Sequence, residues 1–332
     1  MSATTRGDDR AAEFLLLTGA LGSGKTTLLS KYLSTADTQN TGVIVNDAGE
    51  INVDGAVIEA DNRELALAKL SNGCICCSLG NGLQDAIDEL LAARESSGLG
   101  RLRRIILETS GLAEPAPIVR ALSQTRQSEF RLRIVSTLDC LHVSPRDLVP
   151  QYAAQLAAAH RIVLTKLDVA GDQRVKDAET LAASINPLAT RIIAWSDLDR
   201  LRLTFDEPQA TPTPPPSMLF SADRAERHER MTVALASWDG PVSWPDLSEW
   251  VENFSGHCGE KLLRAKGLIK VVGCDDLVLL NGVGTVFSPP RRVQAQDAGG
   301  EGLVLILRDI SPAELSSISN SASDVPPSLR LR

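Results

Sequence analysis

Nowhere does this 332-residue chain hold 18 apolar residues in a row, the length a helix needs to cross a bilayer. Its first ten residues, Met1-Ser2-Ala3-Thr4-Thr5-Arg6-Gly7-Asp8-Asp9-Arg10, lack the apolar centre of a secretory leader. Basic side chains are in short supply as well: 34 Lys and Arg face 42 Asp and Glu, a formal net charge of −8. A nucleic-acid footprint needs a basic face, so that class of partner is excluded along with membranes. Cysteine is sparse at 6, and three of the six crowd into four positions. A disulfide framework spreads an even set through a short secreted chain, so none is expected, and free thiols point to the cytoplasm. Histidine occurs only 4 times, too few for a metal-scavenging tract.

What is present begins with that crowded set. Asn72-Gly73-Cys74-Ile75-Cys76-Cys77 is followed by Ser78-Leu79-Gly80-Asn81-Gly82, a loop composition. Thiolates suit soft ions such as Zn²⁺ or Cu(I), and a tetrahedral site would take three sulfurs and one further ligand. Cys74, Cys76 and Cys77 are therefore the expected metal ligands. Cys258, beside His257 in Ser255-Gly256-His257-Cys258-Gly259, reads first as loop surface chemistry and second as an auxiliary metal or client contact. Cys140 and Cys274 read as core or loop thiols.

A second motif lies upstream. Glu13-Phe14-Leu15-Leu16-Leu17-Thr18 reads as a buried strand running into Gly19-Ala20-Leu21-Gly22-Ser23-Gly24-Lys25-Thr26. That run fits G-x-x-x-x-G-K-[ST] at every fixed position. Gly19, Gly22, Ser23 and Gly24 would curl backbone N–H groups around phosphate oxygens, with Thr27 opening the helix behind. Lys25 should reach the β- and γ-phosphates, and the Thr26 hydroxyl should bind Mg²⁺. Farther on, Ile105-Ile106-Leu107-Glu108 is an apolar strand ending in a carboxylate, the pattern that orders Mg²⁺ and its waters. Lys25 and Glu108 are the expected catalytic pair. Gly111, just after, can offer its N–H to a γ-phosphate.

Base choice falls to Thr165-Lys166-Leu167-Asp168 at the end of the strand Arg161-Ile162-Val163-Leu164. Guanine presents two donors that the Asp168 carboxylate can accept together, whereas adenine presents an acceptor there. Lys166 can lay its aliphatic stem along the base plane. GTP is the nucleotide expected.

In their order, G-x-x-G-x-G-K-T, N-D-x-G-E, G-C-I-C-C, E-T-S-G-L-A-E-P and T-K-x-D resemble the CobW-like GTPases, relatives of the UreG and HypB nickel chaperones. The likeness continues at Leu263-Arg264-Ala265-Lys266-Gly267. It implies slow GTP hydrolysis coupled to delivery of a transition metal, zinc or cobalt foremost, to a client metalloprotein or cofactor-insertion machinery. A homodimer is compatible with it. It also implies a switch segment at Asn46-Asp47-Ala48-Gly49-Glu50, with Asp47 and Glu50 as its carboxylates. Here Ala48 stands where relatives carry phenylalanine, and Asn281 and Ser288 stand where histidine is frequent. The alternative from another class is a metal- or redox-sensing GTP-binding regulatory module with negligible turnover.

The fold expected is α/β: a P-loop NTPase domain with a mostly parallel sheet over 13–200, then a small α+β domain over 218–310. Strands read at 14–18, 43–46, 104–108, 131–137, 161–165 and 190–194, and after the linker at 263–272, 276–280 and 302–308. A Trp-bearing helix falls near 245–254. The stretch 201–217, with Thr211-Pro212-Thr213-Pro214-Pro215-Pro216, is a stiff linker. The first 12 residues and the serine-rich 311–332 are expected to be flexible.

Overall fold

A computed structural model describes residues 12–35, 40–46, 66–70, 81–98, 100–125, 130–142, 149–206, 230–294 and 300–332. The chain divides into two compact units. Neither is continuous in sequence. The first comprises Met1–His142, Ala159–Gly171 and Arg191–Glu207; the second comprises Val143–Ala158, Asp172–Thr190 and Pro208–Arg332. The stretch 13–200 expected as one domain is shared by contact between the two units. Two helical stretches inside that range pack with the C-terminal residues instead.

In the first unit, seven strands form one sheet among the described residues: β1 (Glu13–Gly19), β2 (Thr41–Asn46), β3 (Ala66–Leu70), β4 (Arg104–Glu108), β5 (Arg131–Asp139), β6 (Arg161–Thr165) and β7 (Thr190–Ile192). Their order is β3-β2-β4-β1-β5-β6-β7, and β1 to β6 pair in parallel. Every residue of β1 is buried, as a central strand covered on both faces requires. Behind it, Leu28, Leu29, Tyr32 and Leu33 of α1 (Lys25–Thr35) turn inward at helical spacing. In α2 (Asn81–Ser96), Leu83, Ala86, Ile87 and Leu90 do the same. Pro115 opens α3 (Pro115–Ser123), where its missing N–H costs nothing.

The amino edge of this sheet is stapled by charge. Glu13 lies 2.7 Å from Arg104 and 2.6 Å from Arg133, one on each neighbouring strand. Both arginines also donate to the Phe205 carbonyl, at 2.8 and 3.1 Å. Burial, reinforced by Arg161, Arg104 and Arg131 and opposed by Glu13, pulls Arg133 down to about 10. The guanidinium therefore stays charged at neutral pH.

The second unit is built on an antiparallel sheet from β8 (Met231–Ser237), β9 (Leu262–Lys270), β10 (Leu277–Val283), β11 (Val286–Phe287), β12 (Arg291–Val293), β13 (Gly302–Arg308) and β14 (Ser328–Leu331). The order is β11-β10-β9-β13-β8-β14, with β12 also on β10. Helix α4 (Pro150–Ala158) packs on β9. The helical stretch α5 (Leu167–Ile185) is broken at Gly171, whose φ of 74° and ψ of 157° are not helical. A short α6 (Asp197–Leu201) returns to the first unit.

Two helices with the same entry signal support the sheet. In α7 (Trp244–Cys258) and α8 (Pro312–Ser321), Ser243 and Ser311 accept from the N–H of Asp246 and Glu314, and proline lies in the first turn after each cap. Trp250 is fully buried, stacked on Phe254 at 4.6 Å, and donates its indole N–H to the Ser319 carbonyl at 3.1 Å. The tail expected to be flexible is thus a helix and an edge strand. Serine content misled: Ser316, Ser317 and Ser321 are exposed, while Leu315, Ser319 and Ala322 form the buried stripe at i, i+4 and i+7. β14 then pairs with β8 from Ser328↔Ser237 to Leu331↔Ala234.

Candidate nucleotide site

The glycine-rich turn closes the carboxyl edge of β1, and steric room dictates its composition. A Cβ on Gly19 would come within 2.2 Å of Thr137 Oγ1, and Gly22 and Gly24 adopt φ of 70° and 89°, which side chains disfavour. The Ser23 N–H donates to the Ala20 carbonyl at 3.1 Å, and its hydroxyl to the same oxygen at 2.6 Å. That hydroxyl also lies 2.6 Å from Thr137 Oγ1. Ser23 therefore braces the loop from within. Thr165 supports it from outside, its hydroxyl donating to the Ser23 carbonyl at 2.8 Å and lying 3.2 Å from the Leu138 carbonyl. Both side chains are engaged within the protein, as struts of the loop.

Lys25 is buried at the start of α1, its ammonium 2.9 Å from both the Gly19 and Ala20 carbonyls. Beside it the Thr26 hydroxyl donates to Glu108 Oε1 at 2.5 Å across 82 residues. Two hard oxygens thus converge at the loop's rim, and this donor set suits Mg²⁺. Thr27 is exposed on the same turn. Gly111 sits against the loop itself. A Cβ there would meet the Leu21 backbone nitrogen at 2.5 Å and its Cα at 2.7 Å. Only glycine permits this approach, although its φ is not left-handed.

Lys166, at the end of β6, takes a φ of 57°, rare for a side chain with a Cβ. Its ammonium is held 2.7 Å from Asp139 Oδ2. The His142 ring lies 2.8 Å from the same oxygen, and the Leu141 N–H donates to Oδ1 at 2.8 Å. Burial pushes the Asp139 carboxyl up, but these partners outweigh it and hold it below the usual range. Asp168 is exposed in the turn that follows. Asp139 was missed in the sequence. Its signal was available: an apolar strand ending in a carboxylate, as at Glu108.

Residues 13–192 match the CobW/HypB/UreG nucleotide-binding domain, and residues 233–321 match the cobalamin synthesis protein CobW C-terminal domain. The chain belongs to the CobW/HypB/UreG family. It is 32% identical over 285 residues to the zinc chaperone YjiA of Escherichia coli, covering 82% of this chain and 86% of that protein. It is 28% identical over 353 residues to the zinc chaperone CobW of a Sinorhizobium species, covering 93% and 97%. The crystal structure of Zn(II)-bound YjiA GTPase superposes with a TM-score of 0.68 at 24% identity, covering 94% of this chain and 99% of that one, which shows a shared fold.

Of the CobW-type site, the structure unites the loop, Glu108 and Gly111 at one end, and Lys166 with Asp139 at the other. Asp47, Glu50, Cys74, Cys76 and Cys77 lie outside the described residues, as do residues 207–217 of the expected linker, whereas its first part, Leu201 to Asp206, is helical with Leu201 and Phe205 buried. Both β2 and β3, which lead into those segments, end on the edge where β1 enters the phosphate loop. Two of the remaining cysteines are buried thiols. Burial, helped by Asp139, pushes the Cys140 thiol up to about 11. Cys258 ends α7 inside the C-terminal core rather than on a surface loop, and burial pushes it up to about 12. Among the described residues, no three His, Cys, Asp or Glu side chains group to hold a metal, and no helix is long and apolar enough to cross a membrane.

Proposed function

We propose that this chain is a GTP-hydrolysing metallochaperone of the cytoplasm, which couples nucleotide state to the binding and release of a transition metal. The observation that carries the reading is the convergence of Thr26 and Glu108 beside the Lys25 loop. It is supported by relatives described as zinc chaperones and by the C-x-C-C run between the motifs. Lys25 would leave its loop carbonyls for the β- and γ-phosphates. Thr26 and Glu108 would hold Mg²⁺, which supplies charge neutralisation on the transferred phosphoryl group. The Gly111 N–H would meet the γ-phosphate, and hydrolysis would withdraw that partner. Lys166 would lie along the guanine, and Asp168 would accept its N1–H and N2–H donors.

The cargo would be held by Cys74, Cys76 and Cys77 as thiolates, with zinc or cobalt suited to the donor set. Asp47 and Glu50 would link cargo to nucleotide. Linkage is reciprocal: if GTP alters metal affinity, metal alters GTP affinity by the same factor. A competition titration with a zinc or cobalt chelator should give metal Kd values differing by about 5- to 150-fold between GTP and GDP forms. Replacing all three cysteines with serine should erase the difference and leave GTP binding intact. Equal affinities in both nucleotide states would remove the metal from the switch.

A further inference from the structure

The stretch Leu263-Arg264-Ala265-Lys266-Gly267 on β9 holds two residues that packing alone does not explain. Leu263 is buried and Ala265 belongs to the core under Trp250. Gly267 is forced, because a Cβ there would come within 2.0 Å of the Gly302 carbonyl oxygen. Arg264 and Lys266 are the remainder. Two apart on one strand, they face the same side of the sheet, away from the core residues that alternate with them.

Their neighbours are known from the register. Arg264 is paired with Val283 on one side and Ile306 on the other; Lys266 is paired with Asn281 and Val304. Directly paired residues of antiparallel strands share a face. The two cations therefore sit in a row of aliphatic side chains, with one amide beside them. Arg264 is 1% exposed, one of the largest fully buried side chains among the described residues. It makes a single hydrogen bond, from NH1 to the Gly282 carbonyl at 3.2 Å, and its Nε–H has no partner. The Asn281 Oδ1 has none either. Elsewhere in this unit exposed cations have found acids: Arg230 pairs with Asp309, and Lys261 with Glu314. Among the described residues, no carboxylate reaches Arg264 or Lys266.

Burying a cation without a counter-charge is unfavourable, and a sequence that does so at Arg264, with a second, half-buried cation two positions on, breaks the usual pattern at a place of function. Burial draws Arg264 down to about 10. Burial, and then the charge of Arg264, draws Lys266 down to about 8. Both therefore carry charge at neutral pH. An N–H, an ammonium and an amide oxygen on one face are complementary to a group with several acceptor oxygens, one of which can carry a proton.

We propose that Arg264, Lys266 and Asn281 form an oxyanion site on the C-terminal sheet, taking a phosphate or carboxylate group. It is separate in sequence and chemistry from the phosphate loop. Lys266, partly exposed, marks the side from which the anion enters.

The test uses the full chain saturated with GDP, so that the phosphate loop is occupied. Inorganic phosphate, succinate and chloride are titrated at matched ionic strength, with binding read by calorimetry and by thermal unfolding. Phosphate or succinate should bind saturably and raise Tm, and whichever binds tighter identifies the source chemistry. Lys266→Met should weaken that binding at least tenfold while leaving GDP affinity unchanged, and Arg264→Gln should abolish it. If Arg264→Gln fails to fold, Lys266→Met alone decides the matter. Saturation by neither anion, a Tm gain that chloride reproduces, or parental affinity in Lys266→Met would overturn the assignment.

Discussion

Thr165 Oγ1 donates to the Ser23 carbonyl oxygen at 2.8 Å, fastening the T-K-x-D strand to a phosphate loop 142 residues upstream. Ser23 is itself bound through its hydroxyl to Thr137 on β5. The loop, β5 and β6 are thus one hydrogen-bonded body. The two ends of a nucleotide site would be held at a fixed separation by the hydroxyls of Ser23, Thr137 and Thr165. Pre-set geometry of this kind lowers the ordering cost of binding.

Gly111→Ala should be far more harmful than its single methyl suggests. The new Cβ would meet Leu21 backbone at 2.5 Å, which cannot give way as a side-chain tip could. Displacing the loop should cost about 1–3 kcal/mol of stability by overpacking. GTP affinity should fall at least tenfold, by the same order of energy. Gly82→Ala, with open space around it on α2, is the matched control and should be neutral or stabilising. Parental GTP affinity in Gly111→Ala would show that the loop does not need this approach.

Asp168→Asn should change base preference without changing the fold, since the side chain is exposed. Replacing one carboxylate oxygen with a donor should cost about 2–3 kcal/mol of GTP affinity, the scale of a lost charged hydrogen bond. Xanthosine triphosphate, with a carbonyl where guanine has its amino group, should gain relative to GTP. If ATP competes equally with GTP in the parent protein, Asp168 does not read the base.

Asp139→Asn should destabilise at neutral pH and matter less in acid. Because its folded pKa is depressed, Asp139 contributes stability that is fully present above the ordinary carboxylate value of about 4 and lost as pH falls through the folded value. Urea unfolding at pH 7 should show a loss of about 1–2 kcal/mol from weakened bonds to Lys166 and His142. The gap between parent and variant should shrink by pH 3. A gap of equal size at both values would mean that the carboxylate's charge is not what holds Lys166.

Much of the first unit could be read in advance because its elements carry strong local signals. Arg104–Glu108 and Arg161–Thr165 form strands with the bounds read from their apolar runs, and the phosphate loop follows from its glycine spacing. The short strand Ala66–Leu70 was not legible: five residues with a lysine among them have no period to detect. Asp139 escaped because its meaning depends on Lys166, 27 residues away and in an unusual conformation. The tail was misread by composition, although Leu315, Ser319 and Ala322 already had helical spacing. Thr165 and Ser23 are named by their motifs, but only the hydrogen bonds show that they brace the loop.

The interleaved make-up of the two units bears on how this chain is made and how it can be cut. Pro150–Ala158 leaves the ribosome long before β9, the strand it packs against. Until β9 has been synthesised, its buried alanines and Leu156 have no completed partner surface. A fragment ending in the proline-rich stretch would carry that deficit permanently. Cleavage there in the finished protein should leave two polypeptides that stay together, because α4 belongs by contact to the piece from which it has been severed.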